Sequence, residues 1–135
     1  MILKAVVDTN VLVSGLFFSG PPYRILKAWD DGQFCIAISE AIIHEYKRVI
    51  ETLSGKLGDI NLEPILERIV IEAEMVADYA FDRPICEDPD DDKFLACAML
   101  SKSHYLVSGD KHLLKLETFL DTAIVTPRQF LARLH

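Results

Sequence analysis

Hydrophobic positions along this chain switch between the short period of strands and the longer period of helices. Residues 2–7 (ILKAVV) are a short apolar run rich in branched side chains, as a strand covered on both faces requires. Asp8, Thr9 and Asn10 then form a polar junction ahead of the apolar VLVSGLF, the pattern of a strand feeding a helix. Residues 19–22 (SGPP) break the chain, and YRILKAW begins a second helix that Gly32 stops. FCIAI at 34–38 predicts the next strand, with Ser39 as cap of the helix behind it. In that helix Ile42, Tyr46, Val49, Ile50 and Leu53 make one apolar stripe.

Residues 62–77 repeat the helical spacing through Leu62, Ile65, Leu66, Ile69, Val70, Ala73 and Val76, with Glu63, Glu67 and Glu74 on a solvated side. DKFLACAMLS at 92–101 is apolar nearly all round after its first turn and predicts a buried helix. YLV at 105–107 and AIV at 123–125 are short strands, and Pro127 opens a C-terminal helix. Strands alternating with helices imply βαβ units and an α/β three-layer sandwich around a central, mostly parallel sheet. In such folds ligands bind at the carboxyl ends of the strands. Asp8 and Asp110 both stand there.

The acids then need sorting, because 21 Asp and Glu cannot all serve one site. Glu45 projects about 40° from Val49, at the border of the buried stripe, whereas Glu40 and Glu51 fall on the opposite side. In the run CEDPDDDK at 86–93, a helix start favoured by the macrodipole and by capping accounts for Asp90 and Asp91. Asp92 shares its projected face with Leu95, Ala96 and Met99, so its charge points to the packed side, where it is costly unless partnered. Asp8 and Asp110 each have a second reading as helix N-caps. Two carboxylates about 4 Å apart repel by roughly 4 kcal/mol at an effective dielectric near 20. A divalent cation reverses that sign, which makes convergence of Asp8, Glu45, Asp92 and Asp110 a metal-site hypothesis.

Composition narrows the setting. The 135 residues suit one domain spanning 1–135, and 50% hydrophobic content argues against disorder. No apolar run approaches the length of a membrane span and no signal-peptide pattern opens the chain, so a cytoplasmic protein without membrane association is expected. Cys35, Cys86 and Cys97 are odd in number and never form CxxC, the mark of reduced structural thiols. A net charge of −7 and the lack of a Lys/Arg block weigh against tight non-specific nucleic-acid binding, but not against transient cleavage of a strand. Neither GxxxxGKS/T nor GxGxxG occurs. His44, His104, His112 and His135 are scattered, so no histidine-based triad emerges.

Taken together, VVDTNVLVSG at 6–15, the SGPP turn, the helix from Ser39 to Ile50, DPDDDKFLACA at 88–98, YLVSGDK at 105–111 and VTPRQFL at 125–131 resemble the PIN-domain family of metal-dependent nucleases. The chain looks most like the small branch of toxins from toxin–antitoxin pairs. The resemblance implies Asp8, Glu45 and Asp92 as the acidic cluster with Asp110 as a fourth member, and Thr9, Asn10 and Ser108 as residues orienting them. It further implies Mg²⁺ or Mn²⁺ as cofactor, RNA as substrate, a cognate antitoxin as partner, and homodimers. Many relatives carry another acid two residues after the fourth, where this chain has His112. The resulting expectation is an endoribonuclease. Two alternatives are a binding module whose acidic pocket docks a basic segment, and a metal-dependent phosphatase.

Overall fold

The structure, a computed structural model, describes residues 2–58 and 61–134, so His135 lies outside the described residues. Strand β1 (Leu3–Val7) leads into helix α1 (Thr9–Phe17), and α2 (Pro21–Asp30) follows after the SGPP break. Strand β2 (Phe34–Ser39) feeds α3 (Glu40–Leu57), whose first turn is capped by the Ser39 hydroxyl accepting from the Ile42 N–H. Helix α4 (Glu63–Glu72) and strand β3 (Glu74–Val76) come next, then a 3₁₀ turn (Pro89–Asp91) and α5 (Asp92–Ser101). The chain closes with β4 (Tyr105–Val107), α6 (Lys111–Leu114), β5 (Thr118–Phe119), β6 (Thr122–Val125) and α7 (Pro127–Ala132).

The strands form one sheet in the order β3-β2-β1-β4-β6-β5, parallel except for the β5–β6 pair. Ala5, Val6 and Val7 of the central β1 are fully buried, because helices cover both faces and the strand has no solvated side. Register sorts the two layers: Ala5 lies level with Ile36 and Tyr105, and Phe130 of α7 packs edge-on against Phe34 and Tyr105 on that face. Helix α5 packs across β1 to β4, burying Phe94, Leu95, Ala96, Cys97 and Ala98 as its all-round apolar pattern requires. Among the described residues no helix is long and apolar enough to cross a membrane.

One expectation is corrected. The helix read over residues 62–77 stops at Glu72, and Glu74–Val76 instead runs parallel to β2, with Ala37, Ile38 and Ser39 opposite Glu74, Met75 and Val76. The buried β2 would otherwise leave a row of unpaired backbone groups, and this tertiary demand overrides the local periodicity. Glu74 is consequently no solvated helix acid: it pairs with Lys4 at 2.8 Å. Strand β5, on which the sequence reading is silent, consists of two residues and offers no alternation to read.

Parallel pairing sets the ends of β1 and β4 side by side. The ladder continues one step past each strand, with the Asp8 N–H donating to the Val107 carbonyl and the Ser108 N–H to the Val125 carbonyl, both at 2.9 Å. The fully buried Tyr46 of α3 donates its hydroxyl to the Val7 carbonyl, fastening this helix to the same strand end.

Helices α1 and α2 approach most closely at Gly15, where an added Cβ would stand 2.7 Å from the Pro22 carbonyl oxygen and 2.8 Å from Leu26 Cδ1. Backbone cannot yield there, so Gly15→Ala is expected to cost about 1–3 kcal/mol in thermal unfolding. Gly55→Ala, in α3 with nothing within 4 Å, is expected to stabilise by up to ~1 kcal/mol. Equal melting temperatures for the two variants would contradict this packing.

Candidate metal-binding active site

Asp8 stands at the carboxyl end of β1, only 6% exposed. Its side chain makes no capping hydrogen bond to α1, so the N-cap alternative is not the one adopted. Instead the fully buried Ser108 donates its hydroxyl to Asp8 Oδ2 at 2.6 Å, and Ser108 Oγ accepts from the Asp110 N–H at 3.0 Å. Burial raises the Asp8 carboxyl above its usual range. Ser108 and the nearby Asn10 backbone oppose that rise, and the charges of Glu45 and Asp110 add to it.

Asp110, half-buried beyond β4, adopts its capping alternative through one oxygen, with Oδ1 accepting from the His112 N–H at 2.9 Å. Facing it is Asp91, the last residue of the 3₁₀ turn. Burial first, then the charge and hydrogen bond of Asp110, then the charges of Asp8 and Asp88 push the Asp91 carboxyl up to about 7. Asp8, Asp91 and Asp110 therefore lie close enough to feel one another's charge beyond the ends of β1 and β4.

Glu45 reaches the same region from α3 but is differently balanced. Its Oε2 accepts the Thr9 hydroxyl, and its Oε1 takes the Lys93 ammonium at 2.6 Å. Lys93 also pairs with Asp90 at 3.2 Å, and its hydrogen bond holds that carboxyl below the usual range.

Asp92 departs from expectation. Its side chain does turn to the packed side, but both oxygens are engaged there by backbone, Oδ2 by the Ile85 N–H at 3.0 Å and Oδ1 by the Cys86 N–H at 2.8 Å. The charge that needed a partner finds two amides and fastens the 85–86 loop to α5. The residue of this run that stands against Asp110 is Asp91, which the sequence reading assigns to the helix start and which the structure places at the end of the 3₁₀ turn. Lys93 is the other residue that sequence reading passed over. Its signal was an ammonium one turn from Asp90 at the start of an otherwise apolar helix.

Of the supporting residues, Ser108 serves Asp8 and Thr9 serves Glu45, whereas Asn10 stays exposed. His112 is a surface residue paired with Glu87 at 2.8 Å, which Lys115 also contacts at 2.8 Å. Cys86 and Cys97 are buried free thiols, and burial pushes Cys97 up to about 12, far from reactive.

Among the described residues no three Asp, Glu, His or Cys side chains already stand as direct ligands of one ion. The donor chemistry nevertheless fits a hard dication. Asp8, Asp91 and Asp110 offer only oxygen, and among the described residues none of the three has an ion-pair partner. Mg²⁺ in proteins commonly takes one or two carboxylates directly and reaches others through its waters.

Comparison with known proteins bears on the family and the fold. The sequence profile of the PIN domain matches residues 4–112. The uncharacterized protein MJ1680 of Methanocaldococcus jannaschii is 26% identical over 140 residues, spanning 96% of this chain and 90% of its own. The crystal structure of PAE2754 from Pyrobaculum aerophilum superposes with a TM-score of 0.61 at 15% identity, over 98% of this chain and 88% of that one. At that identity the likeness is one of fold.

The two neighbouring aspartates should behave oppositely. Unfolded, Asp91 titrates near 3.8, and folded, near 7. Between those values the folded chain keeps a proton that the unfolded chain has released, so metal-free stability falls as pH rises through the window. Asp91→Asn is therefore expected to raise the metal-free Tm, more at pH 8 than at pH 5. Asp92→Asn places an amide nitrogen against a backbone N–H and should lower Tm at both, by about 1.5–3 kcal/mol of stability. Destabilisation by Asp91→Asn at pH 8 would contradict the crowding of charge.

Proposed function

Because this chain belongs to the PIN-domain family, whose profile covers residues 4–112, we propose that it is a metal-dependent endoribonuclease acting as the toxin of a toxin–antitoxin pair. PIN domains are generally nucleases and typically bind divalent metals. The observation that supports the reading most strongly is the uncompensated charge of Asp8, Asp91 and Asp110 at the ends of β1 and β4.

The reaction is hydrolysis of a phosphodiester: water forms a bond to phosphorus, the ester oxygen leaves, and a proton passes from the water to that oxygen. Mg²⁺ or Mn²⁺, when bound, supplies positive charge to the phosphate oxygens and acidifies a coordinated water. Asp8, Asp91 and Asp110 would hold the ion, with Ser108 fixing the orientation of Asp8 through its 2.6 Å hydrogen bond. Preorganisation of this kind means that the carboxylates need not be rearranged as charge develops at phosphorus. With its carboxyl pushed up to about 7, Asp91 holds a proton that a bound cation must displace at neutral pH and below. Lys111, exposed at the start of α6 and next to Asp110 in the chain, is a cation free to meet a substrate phosphate.

With a net charge of −7, the surface does not favour tight, indiscriminate binding of nucleic acid, and the local charge of the loaded pocket must attract the strand. The same pocket, without metal, suits a basic segment of an antitoxin, which we propose as its partner in the cytoplasm.

Cleavage of single-stranded RNA in millimolar Mg²⁺, and its loss in EDTA, tests the reading. Asp8→Asn and Asp91→Asn should each lower the rate by ~100-fold or more, the scale on which loss of one electrostatic stabiliser acts. Both variants should keep the wild-type circular dichroism. Undiminished RNA cleavage by Asp8→Asn would overturn the proposal.

A further inference from the structure

Lys93 is a cation built into an acidic pocket, and its geometry divides that pocket in two. On one side Glu45 has both oxygens engaged, Oε1 by the Lys93 ammonium at 2.6 Å and Oε2 by the Thr9 hydroxyl. The side chains of Lys93 and Glu45 are only 18% and 12% exposed, so bulk water screens this pair little. Asp90 closes on the same ammonium at 3.2 Å. On the other side Asp8, Asp91 and Asp110 crowd without an ammonium or guanidinium among the described ion pairs. Lys93 leaves α5 from its first turn and Glu45 leaves α3 one residue before Tyr46, whose hydroxyl is tied to the Val7 carbonyl. Both partners of the pair are therefore carried by helices packed on the strand end that bears Asp8.

We infer that Lys93 is a resident counter-cation occupying the Glu45 half of the pocket, so that the site takes one divalent ion, on the Asp8–Asp91–Asp110 half, and not two. This inference rests on the metal-dependent reading above. The ammonium supplies Glu45 with the positive charge that a second ion would otherwise supply, and with the Thr9 hydroxyl it holds both oxygens of Glu45 in place. Lys93 is on this account a positioning residue: it acts on the metal complement through Glu45.

Charge balance gives a test that does not depend on turnover. Mn²⁺ bound per full-length chain is counted at saturation by isothermal titration, and metal-free Tm is recorded alongside. Wild type should bind one Mn²⁺. Lys93→Gln leaves Glu45 without its cation and should bind two, with a lowered metal-free Tm and a larger rise in Tm on adding Mn²⁺ than wild type shows. Lys93→Arg keeps the charge and should bind one. The double variant Glu45→Gln with Lys93→Gln removes both charges together and should return to one ion and to a Tm near wild type. Two ions in the wild type, or one ion of unaltered affinity in Lys93→Gln, would overturn the inference while leaving the proposed function in place. Absence of Mn²⁺ binding by the wild type would overturn the metal-dependent reading, and this inference with it.

Discussion

The constraint on which this molecule turns is the adjacency of the β1 and β4 carboxyl ends. Parallel register places Val7 opposite Val107, and one further backbone hydrogen bond, from the Asp8 N–H to the Val107 carbonyl, carries the alignment past the strand. Asp8 and Ser108 are thereby neighbours although a hundred positions separate them in the chain. Asp110 follows two residues behind, and the 3₁₀ turn brings Asp91 up to face it. The placement of Asp8 and Ser108 follows from backbone pairing that buried apolar strands require, so the fold itself generates the electrostatic problem at their ends.

That problem has two local answers. Around Glu45 the chain supplies its own cation, the ammonium of Lys93, and a hydroxyl for the remaining oxygen. Around Asp92 it supplies two backbone amides, which explains how a carboxylate on the packed side of a buried helix is tolerated. Asp8, Asp91 and Asp110 receive neither answer in full, and burial, with the neighbouring charges adding to it, raises the affinity of Asp8 and Asp91 for protons. Holding a proton and holding a metal ion are competing ways to relieve the same repulsion. A PIN domain in which one half of the pocket is neutralised internally is thus prepared for a single external cation.

Much of this architecture was legible in the sequence. Short branched runs gave β1, β2 and β4, the Ser39 and Pro127 signals marked helix starts, and the all-round apolar pattern of α5 correctly implied burial. What escaped reading has identifiable causes. β3 was hidden because helical spacing happened to persist through Val76, while the decisive force was the unpaired edge of β2, a tertiary fact. β5 is too short to carry a pattern. At the site, the sequence located the acidic segment at 86–93, and the structure sets Asp91 of that segment against Asp110 while Asp92 accepts from the Ile85 and Cys86 amides. The projection placed Asp92 on the packed side correctly, but it says nothing of Asp91, which belongs to the 3₁₀ turn before α5. Nor does a projection reveal that backbone N–H groups wait at the packed face to receive Asp92. Lys93 was equally invisible as a participant, since its partner Glu45 lies on another helix 48 positions earlier.

A nuclease reading, the single-ion inference and the tolerance of so many acids in a chain of pI about 5.0 all descend from one picture of where charge is left over. The most direct measurement is the anomalous difference map of crystals grown with Mn²⁺. The account predicts one strong peak among the carboxylates of Asp8, Asp91 and Asp110, with the Lys93 ammonium still seated on Glu45. A peak held by Glu45 and Asp92 in place of those three, or no peak at all, would contradict it.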